Sequence, residues 1–257
     1  FKIAEEEPRI KPYYIGPIRI IPLMMKMDAD MVVMTVPDLD RYQIKRSYVR
    51  KDVEYVYTNH GMTSMHMVVR EHAFDHFDTI FCAGPHQIDE YRAMEKLYGT
   101  KAKNLVRCGY GLLDDLIRQY GEMASSAKSD EATVLIAPSY QDGNILDSCL
   151  DDIIDSLHEI GYRIVVRPHP QYGRRHPDKL AAIIKRYEKR ALEGLVIEAN
   201  IASNSSVFSA DLLITDWSTV AYEYSFTTLK PSLFVNTPMK VVNPNWQKVK
   251  LPALDIT

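Results

Sequence analysis

The sequence predicts an α/β protein made of two Rossmann-like domains that face each other across a cleft. Short apolar runs alternate with stretches of helical periodicity along the chain of 257 residues. Such runs, bounded by helices, are typical of parallel strands covered on both faces. The small, polar stretch Met123–Glu131 separates two sets of these elements and indicates a linker. We therefore expect domains at residues 1–124 and 130–257.

The apolar runs give nine expected strands, and the helical patterns give five expected helices. The strands are Met31–Thr35, Val53–Thr58, Thr79–Cys82, Asn104–Cys108, Thr133–Ala137, Arg163–Arg167, Leu195–Glu198, Leu212–Thr215 and Leu233–Asn236. The helices are Gln87–Leu97, Leu112–Met123, Ile145–Ile160, Pro177–Leu192 and Thr219–Phe226.

Composition excludes several classes of protein. The chain is 46% apolar and 25% charged, which is enough to bury a core. A net charge of −3 argues against a general nucleic-acid binder. Three distant cysteines favour reduced thiols in a cytosolic protein. No stretch approaches the ~18–20 apolar residues that span a bilayer. Because the chain begins at Phe1, we expect it to be a fragment.

The first candidate site residues follow the expected strand Val53–Thr58, where the chain continues into His60-Gly61. A histidine with a pKa near neutrality can act as a general base, and glycine allows close approach of a ligand or another backbone. The alternative is a helix capped by Thr63 or Ser64, with a histidine that only fills space.

Two further strand ends carry candidates. Ser139 follows Thr133–Ala137 and could contact a ligand or cap the next helix. Arg167-Pro168-His169-Pro170 follows the next strand, and its prolines hold the backbone stiff. Arg167 offers a fork of donors for phosphate or carboxylate. Arg174 and Arg175 could face an anion, or lie in a solvated loop.

The fourth candidate segment joins the strand Leu212–Thr215 to a helix. Asp216 ends the strand, and Ser218 and Thr219 begin the helix. The first turn of a helix presents unpaired N–H groups and a partial positive charge, so it suits a phosphate. Glu223, one turn further on, could accept hydrogen bonds from ribose hydroxyls. The alternative is an ordinary serine cap with a solvated Glu223.

For several other residues, a place on the surface or in the packing of the fold is the simpler interpretation. His66, His72 and His76 have no zinc-binding partners and are expected on the surface. The basic run Arg41–Lys51 is either a solvated face or a contact for a polyanion or anionic lipid. Ile15–Met25 is apolar but broken by prolines; it either covers the first sheet or touches a membrane surface.

The combined motifs resemble those of the CDP-glycerol glycerophosphotransferase family, which builds teichoic-acid and related capsule chains. The resemblance rests on His60-Gly61, on Arg167–Pro170, on Leu213–Thr219 and on Tyr222-Glu223-Tyr224. The histidine-proline and paired-hydroxyl motifs also resemble those of bacterial sialyltransferases that use CMP-activated sugars. The motifs therefore indicate a CMP leaving group more strongly than they indicate the transferred group.

The resemblance implies a GT-B-like fold, with the donor nucleotide in the C-terminal half and the acceptor facing the N-terminal half. It implies His60 as base, His169 at the donor diphosphate, and Ser218 and Thr219 as phosphate contacts. It also implies a cytoplasmic enzyme at the inner face of the membrane. Gly61, Ser139, Arg167, Asp216 and Glu223 complete the expected substrate-binding set.

We thus expect glycerol phosphate transfer from CDP-glycerol, or a related CDP-polyol, to a hydroxyl of a cell-surface polymer or its lipid-linked primer. CMP leaves, and we expect no metal, cofactor or nucleic-acid partner. The alternatives are glycosyl transfer from a CMP-sugar to a glycan and a non-catalytic nucleotide- or polymer-binding module.

Overall fold

The structure, a computed structural model, describes residues 5–123, 131–199 and 203–253. The chain divides into two compact units, each with one parallel sheet. The first unit contains Phe1–His60, Met65–Cys108 and Asn243–Pro252. The second contains Gly61–Ser64, Gly109–Val242 and Ala253–Thr257. Both units are α/β, which confirms the predicted fold class.

The first unit has a four-stranded sheet in the order β1-β2-β3-β4. Its strands are Met31–Met34 (β1), Glu54–Thr58 (β2), Thr79–Cys82 (β3) and Asn104–Arg107 (β4). Tyr55, Val56 and Tyr57 of β2 are all buried, so helices and loops cover both faces of this strand. The helices are Pro17–Met25 (α1) and Pro85–Tyr98 (α2), and a 3-10 turn covers Trp246–Val249.

The second unit has a five-stranded parallel sheet in the order β7-β6-β5-β8-β9. Its strands are Thr133–Ile136 (β5), Arg163–Val166 (β6), Leu195–Ile197 (β7), Leu212–Thr215 (β8) and Ser232–Phe234 (β9). The chain starts at the central β5, moves outward to β7, and returns to β8 on the other side. The boundary between β5 and β8 is therefore a topological switch point, and open α/β sheets bind ligands beyond the carboxyl ends of such strands.

Seven helices accompany the second sheet in the described part of this unit. They are Gly111–Met123 (α3), Ile145–Ser148 (α4), Leu150–Ile160 (α5), Pro170–Arg175 (α6), Pro177–Arg190 (α7), Ser205–Ser209 (α8) and Val220–Thr228 (α9). The core of the unit centres on β5, whose four residues are all buried. This rigid centre fixes the loop that follows β5.

All nine predicted strands are confirmed, each within two residues of its expected ends. The predicted helix Ile145–Ile160 is two helices. Asn144 caps the first by accepting a hydrogen bond from Leu146 N at 2.7 Å. The helical path breaks at Cys149, where φ is −141°. Three helices were not predicted: α1, α6 and α8.

The compact units divide the chain differently from the expected domains 1–124 and 130–257. The division falls at Cys108–Gly109, because α3 packs against α9 and so belongs to the second unit. Residues 243–252 belong to the first unit. The predicted linker, at residues 124–130, lies outside the described residues.

None of the helices formed by the described residues is long and apolar enough to cross a bilayer.

Candidate functional site

Asp216 ties together the loops at the carboxyl edge of the second sheet. It follows β8 and is only 3% exposed. One carboxylate oxygen accepts hydrogen bonds from the backbone N–H groups of Ser139 at 2.7 Å and Trp217 at 2.8 Å. The other accepts from Ile145 N at 3.2 Å and Thr237 Oγ1 at 3.3 Å. This carboxylate is occupied by donors of its own fold, so its geometry suits positioning better than substrate contact.

Ser139 presents a buried hydroxyl at the switch point. The residue is 1% exposed, and its Oγ has no hydrogen-bond partner among the described residues. Ser139 does not cap the following helix, because Asn144 does. Leaving a buried polar group unsatisfied costs about 1–3 kcal/mol. The capping interpretation of Ser139 is therefore wrong, and its contact with a ligand stays a prediction.

The start of α9 follows β8 on the other side of the switch point. Thr219 occupies the N-cap position without a side-chain capping bond. Ser218 Oγ lies 3.5 Å from Val220 N, at the limit for a hydrogen bond. The N–H groups of Ala221 and Tyr222 donate to Ser218 O at 3.3 Å and to Thr219 O at 3.1 Å, so what this edge offers is the positive end of the helix dipole next to two hydroxyls. Such an arrangement can hold a phosphate.

Gly61 lies against the start of α9. A Cβ added at this buried position would lie 3.4 Å from Thr219 Cγ2, so the backbone passes close to the helix. The capping alternative for Thr63 and Ser64 is wrong: no helix begins in the fully described stretch 61–84. His60, which precedes Gly61, lies in the loop after β2 with its side chain exposed.

His169 is fixed in one tautomer by the start of α6. Its Nδ1 accepts a hydrogen bond from Gln171 N at 3.0 Å, so the proton of the neutral ring is on Nε2. Burial, with help from the charges of Lys240 and Arg175, lowers the pKa of His169 to about 4. The ring is therefore neutral at neutral pH. It can donate one hydrogen bond from Nε2, but it adds no positive charge to the site.

Arg167 is committed to contacts within the second unit. Its Nη1 donates to Ser203 O and Ser206 Oγ, both at 2.9 Å, and lies 3.5 Å from Glu198 Oε2. The side chain is 13% exposed. These contacts join the loops after β6 and β7. Because the carboxylate of Glu198 offsets the charge of Arg167, this side chain contributes less positive charge to a ligand than the sequence suggests.

Glu223 is half-buried on the first turn of α9 and accepts a hydrogen bond from Tyr110 Oη at 3.0 Å. Burial raises the pKa of Glu223, and the bond from Tyr110 opposes this shift. Burial also raises the pKa of Tyr110, with the charge of Glu223 adding to the effect. Glu223 is thus not the solvated residue of the alternative interpretation. A ribose contact stays a prediction.

Sequence reasoning missed a group of cations around Tyr140, the residue after Ser139. Lys240 Nζ lies 4.5 Å and Arg175 Cζ 4.7 Å from the centre of the Tyr140 ring. The ring of His169 lies 4.8 Å from it. The sequence offered Arg175 only as a weak candidate for a site residue. No sequence pattern indicated Lys240, because it lies beyond the last strand. We call Tyr140, His169, Arg175 and Lys240 the Tyr140 cluster.

The expectation that His66 lies on the surface is wrong. His66 is 0% exposed, and its Nδ1 lies 3.2 Å from Glu90 Oε2. The segment that contains it packs onto α2, where Glu90 also accepts from Met65 N at 2.7 Å. The described residues hold no group of three or more histidine, cysteine or acidic side chains arranged for a metal ion.

A family model described as CDP-Glycerol:Poly(glycerophosphate) glycerophosphotransferase matches residues 8–240. The chain belongs to this glycerophosphotransferase family. The match contains both sheets and every predicted site residue. No curated protein matches the chain in a sequence comparison.

Among solved structures, this member of the glycerophosphotransferase family is similar to the wall teichoic acid polymerase TagF soaked with CDPG. The sequences are 18% identical, and the TM-score is 0.51. The match covers 80% of this chain and 53% of TagF, so the chain spans about half the length of that structure. At this identity the likeness establishes a shared fold.

Proposed function

We propose that this protein transfers glycerol phosphate from CDP-glycerol to a hydroxyl of a poly(glycerophosphate)-type polymer, or of its lipid-linked primer, and releases CMP. The observation that carries the proposal is the family match over residues 8–240. The presence of CDPG in the TagF structure supports the choice of donor. The switch point of the second sheet supports it too, because it combines a helix start with an unsatisfied hydroxyl.

The donor diphosphate is proposed to bind at the start of α9. Ser218 and Thr219 supply hydroxyls there, and the helix supplies the positive end of its dipole. The Ser139 hydroxyl and the Nε2–H of His169 add donors from the loops after β5 and β6. Asp216 and Arg167 hold these loops in place, and Glu223 accepts hydrogen bonds from the ribose. Gly61 leaves room beside Thr219.

His60 is proposed as the general base. It takes the proton of the acceptor hydroxyl as that oxygen forms a bond to the β-phosphorus of CDP-glycerol. The bond between this phosphorus and the bridging oxygen breaks, and CMP leaves with the electron pair. The position of His60 supports its role as the base, because His60 immediately precedes Gly61 and its side chain is accessible. Donors on the leaving diphosphate stabilise the charge that develops there.

The decisive experiment measures CMP release from CDP-glycerol in the presence of a glycerol phosphate acceptor. His60→Ala should lower kcat by about 10²–10⁴-fold, the usual contribution of a general base. Its affinity for CDP-glycerol should stay within about twofold of wild type. His76→Ala is a matched control, because His76 is also exposed in the first unit. This control should retain full turnover.

Other outcomes would overturn the proposal. CMP release from CMP-sugars, and not from CDP-glycerol, would make the protein a glycosyltransferase. Binding of CDP-glycerol without release from any CDP-polyol or CMP-sugar would make it a non-catalytic binding module. Equal turnover in His60→Ala and wild type would remove His60 from the mechanism.

We further propose that the protein works in the cytoplasm, peripherally at the inner face of the membrane, where a lipid-linked acceptor would lie. Exposed apolar residues in and before α1 support this: Ile18 is 88% and Tyr14 is 88% exposed. Co-sedimentation with anionic lipid vesicles tests it. Recovery of all the protein in the supernatant at low salt would contradict the proposal. That the two units face each other across a cleft stays a prediction.

A further inference from the structure

The Tyr140 cluster gathers positive charge at one aromatic ring. Arg175 and Lys240 both lie within 5 Å of the centre of the Tyr140 ring, at 4.7 and 4.5 Å. Arg175 forms no ion pair with any residue that the structure describes. Each cation is attracted to the ring, but the two like charges repel each other. An anion placed beside both cations would remove the repulsion.

Three separate segments build the cluster, so its geometry does not depend on one flexible loop. Tyr140 follows β5, Arg175 ends α6, and Lys240 follows β9. The segment before Lys240 is anchored by Trp217, whose Nε1 donates to Thr237 O at 3.0 Å. These contacts hold Lys240 within reach of Tyr140.

A close approach of two loops completes this scaffold. Gly143, at a φ of +75°, leaves room for Pro238: an added Cβ there would lie 3.2 Å from Pro238 Cγ. The loop after β5 and the segment after β9 are therefore packed against each other. The start of α6 is fixed as well, because Tyr172 is fully buried and donates to Asp147 Oδ1 at 2.8 Å.

We propose that the Tyr140 cluster is a second phosphate-binding subsite, which holds a phosphodiester of the acceptor polymer. This inference rests on the proposed function. The donor diphosphate already has the start of α9, the Ser139 hydroxyl and His169. The acceptor of this reaction is itself a polyanion, with a phosphate in each repeating unit. Arg175 and Lys240 lie against the Tyr140 ring, which separates neither of them from His169 by more than this one side chain. This cation pair suits a phosphate of the acceptor that takes no part in the reaction.

The chemistry of the cluster fits a phosphodiester. Arg175 can donate two parallel hydrogen bonds to the two unbridged oxygens, and Lys240 adds a point charge. The ring of Tyr140 positions the two cations for this contact. Because His169 is neutral, it leaves the net charge of the subsite to Arg175 and Lys240. The subsite would therefore select for acceptors that carry phosphate.

The test compares the double variant Arg175→Gln/Lys240→Gln with wild type. Binding of a short glycerol phosphate oligomer and binding of CDP-glycerol are each measured by calorimetry, independently of turnover. We expect the oligomer to bind about tenfold more weakly to the variant, and CDP-glycerol to bind within about twofold of wild type. The KM for the acceptor should rise with little change in kcat.

Matched controls separate a specific site from loss of overall charge. Arg174→Gln/Lys185→Gln removes the same charge from exposed positions of the same unit. It should bind the oligomer as wild type does. Tyr140→Phe keeps the ring and should also bind normally, whereas Tyr140→Leu should weaken binding. Thermal unfolding of each variant verifies that it is folded.

Three results would overturn the inference. They are equal weakening in the Arg174/Lys185 control, unchanged oligomer binding in the Arg175/Lys240 variant, and selective loss of CDP-glycerol binding, which would assign the cluster to the donor. Because binding is measured directly, the inference can fail while CMP release is normal. Conversely, absence of CMP release in wild type would refute the proposed function without changing the binding result.

Discussion

Two regions of the molecule combine cations with tyrosines and use them in opposite ways. The segment Arg41–Lys51 carries five cations in eleven residues, yet two of its three arginines are paired with acids. Arg46 Nη1 lies 2.9 Å from Asp78 Oδ2, and Arg50 contacts three aspartates. The Tyr140 cluster has fewer charges, drawn from distant parts of the chain, and two of them share one ring.

The comparison predicts an anion site where cations from distant segments gather, and not along a run of basic residues. In the segment Arg41–Lys51, carboxylates and backbone carbonyls occupy the donors, which favours the interpretation of a structural surface over contact with a polyanion. In the Tyr140 cluster, the charges accumulate next to the switch point of the sheet. The variants below test this contrast, from the largest expected effect to the smallest.

Replacing Asp216 should disrupt the region around the Tyr140 cluster most. Asp216→Asn removes the charge from a buried group that accepts four hydrogen bonds, and it turns an amide N–H₂ toward some of those donors. We expect a loss of about 3 kcal/mol in the free energy of unfolding. Chemical denaturation measures it, with the exposed Asp142→Asn as control. A loss below about 1 kcal/mol would contradict the positioning role of Asp216.

Acid should weaken the same region through His169. The pKa of His169 is lowered from 6.5 to about 4, so between these values the unfolded chain binds more protons than the folded one. Its contribution to stability is full above pH 6.5 and is lost as the pH falls toward 4. We expect about 2 kcal/mol, allowing for partial exposure of the ring.

The variant His169→Asn isolates this effect, because asparagine also caps helices well. Unfolding free energies at pH 7 and pH 4.5 should differ less in the variant than in wild type. An equal pH dependence in both proteins would show that His169 titrates normally.

Exchanging one arginine in each region tests the contrast directly. Arg46→Gln should cost about 1–2 kcal/mol of stability, because Arg46 also donates to His76 O and Val53 O. It should leave oligomer binding unchanged. Arg175→Gln should do the reverse, with stability within about 0.5 kcal/mol of wild type and weaker oligomer binding. If the two variants behave alike, the distinction between the regions fails.

Glu223→Gln should have a small effect on stability, in the opposite direction to the losses above. Because burial raises the pKa of Glu223, its ionised form lowers stability as the pH rises through that pKa. Glutamine removes this penalty, so we expect a gain of at most about 1 kcal/mol at pH 7. The KM values for CDP-glycerol and its 2′-deoxy analogue should also differ less in the variant than in wild type. Exposed Glu159→Gln is the control, and unchanged discrimination would argue against the ribose contact.

The central strands were predictable from sequence because burial on both faces requires consecutive apolar residues. The run Thr133–Ile136 is apolar apart from its first residue, and all four residues are buried. Helix α1 was missed because it begins at Pro17 and contains Pro22. Proline is favourable at the first helical position, and a short helix at the surface tolerates one lost hydrogen bond further along.

The candidate site was predictable where it lies at strand ends, as with Ser139, His169 and Ser218. Roles that depend on distant partners were not. Nothing near Arg167 in the sequence indicates that Glu198 and Ser206 bind it. Similarly, Lys240 reaches Tyr140 only because Gly143 and Pro238 allow two loops to pack closely.

The return of residues 243–252 to the first unit has a consequence for biosynthesis. Asn243 is 1% exposed, donates from Nδ2 to His66 O at 3.0 Å, and donates from its backbone N–H to Met67 O at 3.1 Å. On the ribosome, residues 243–252 emerge only after the whole second sheet has been synthesised. The first unit therefore lacks residues 243–252 while the second sheet is being synthesised. A nascent chain arrested before residue 243 should consequently be digested by protease within its earliest-made part.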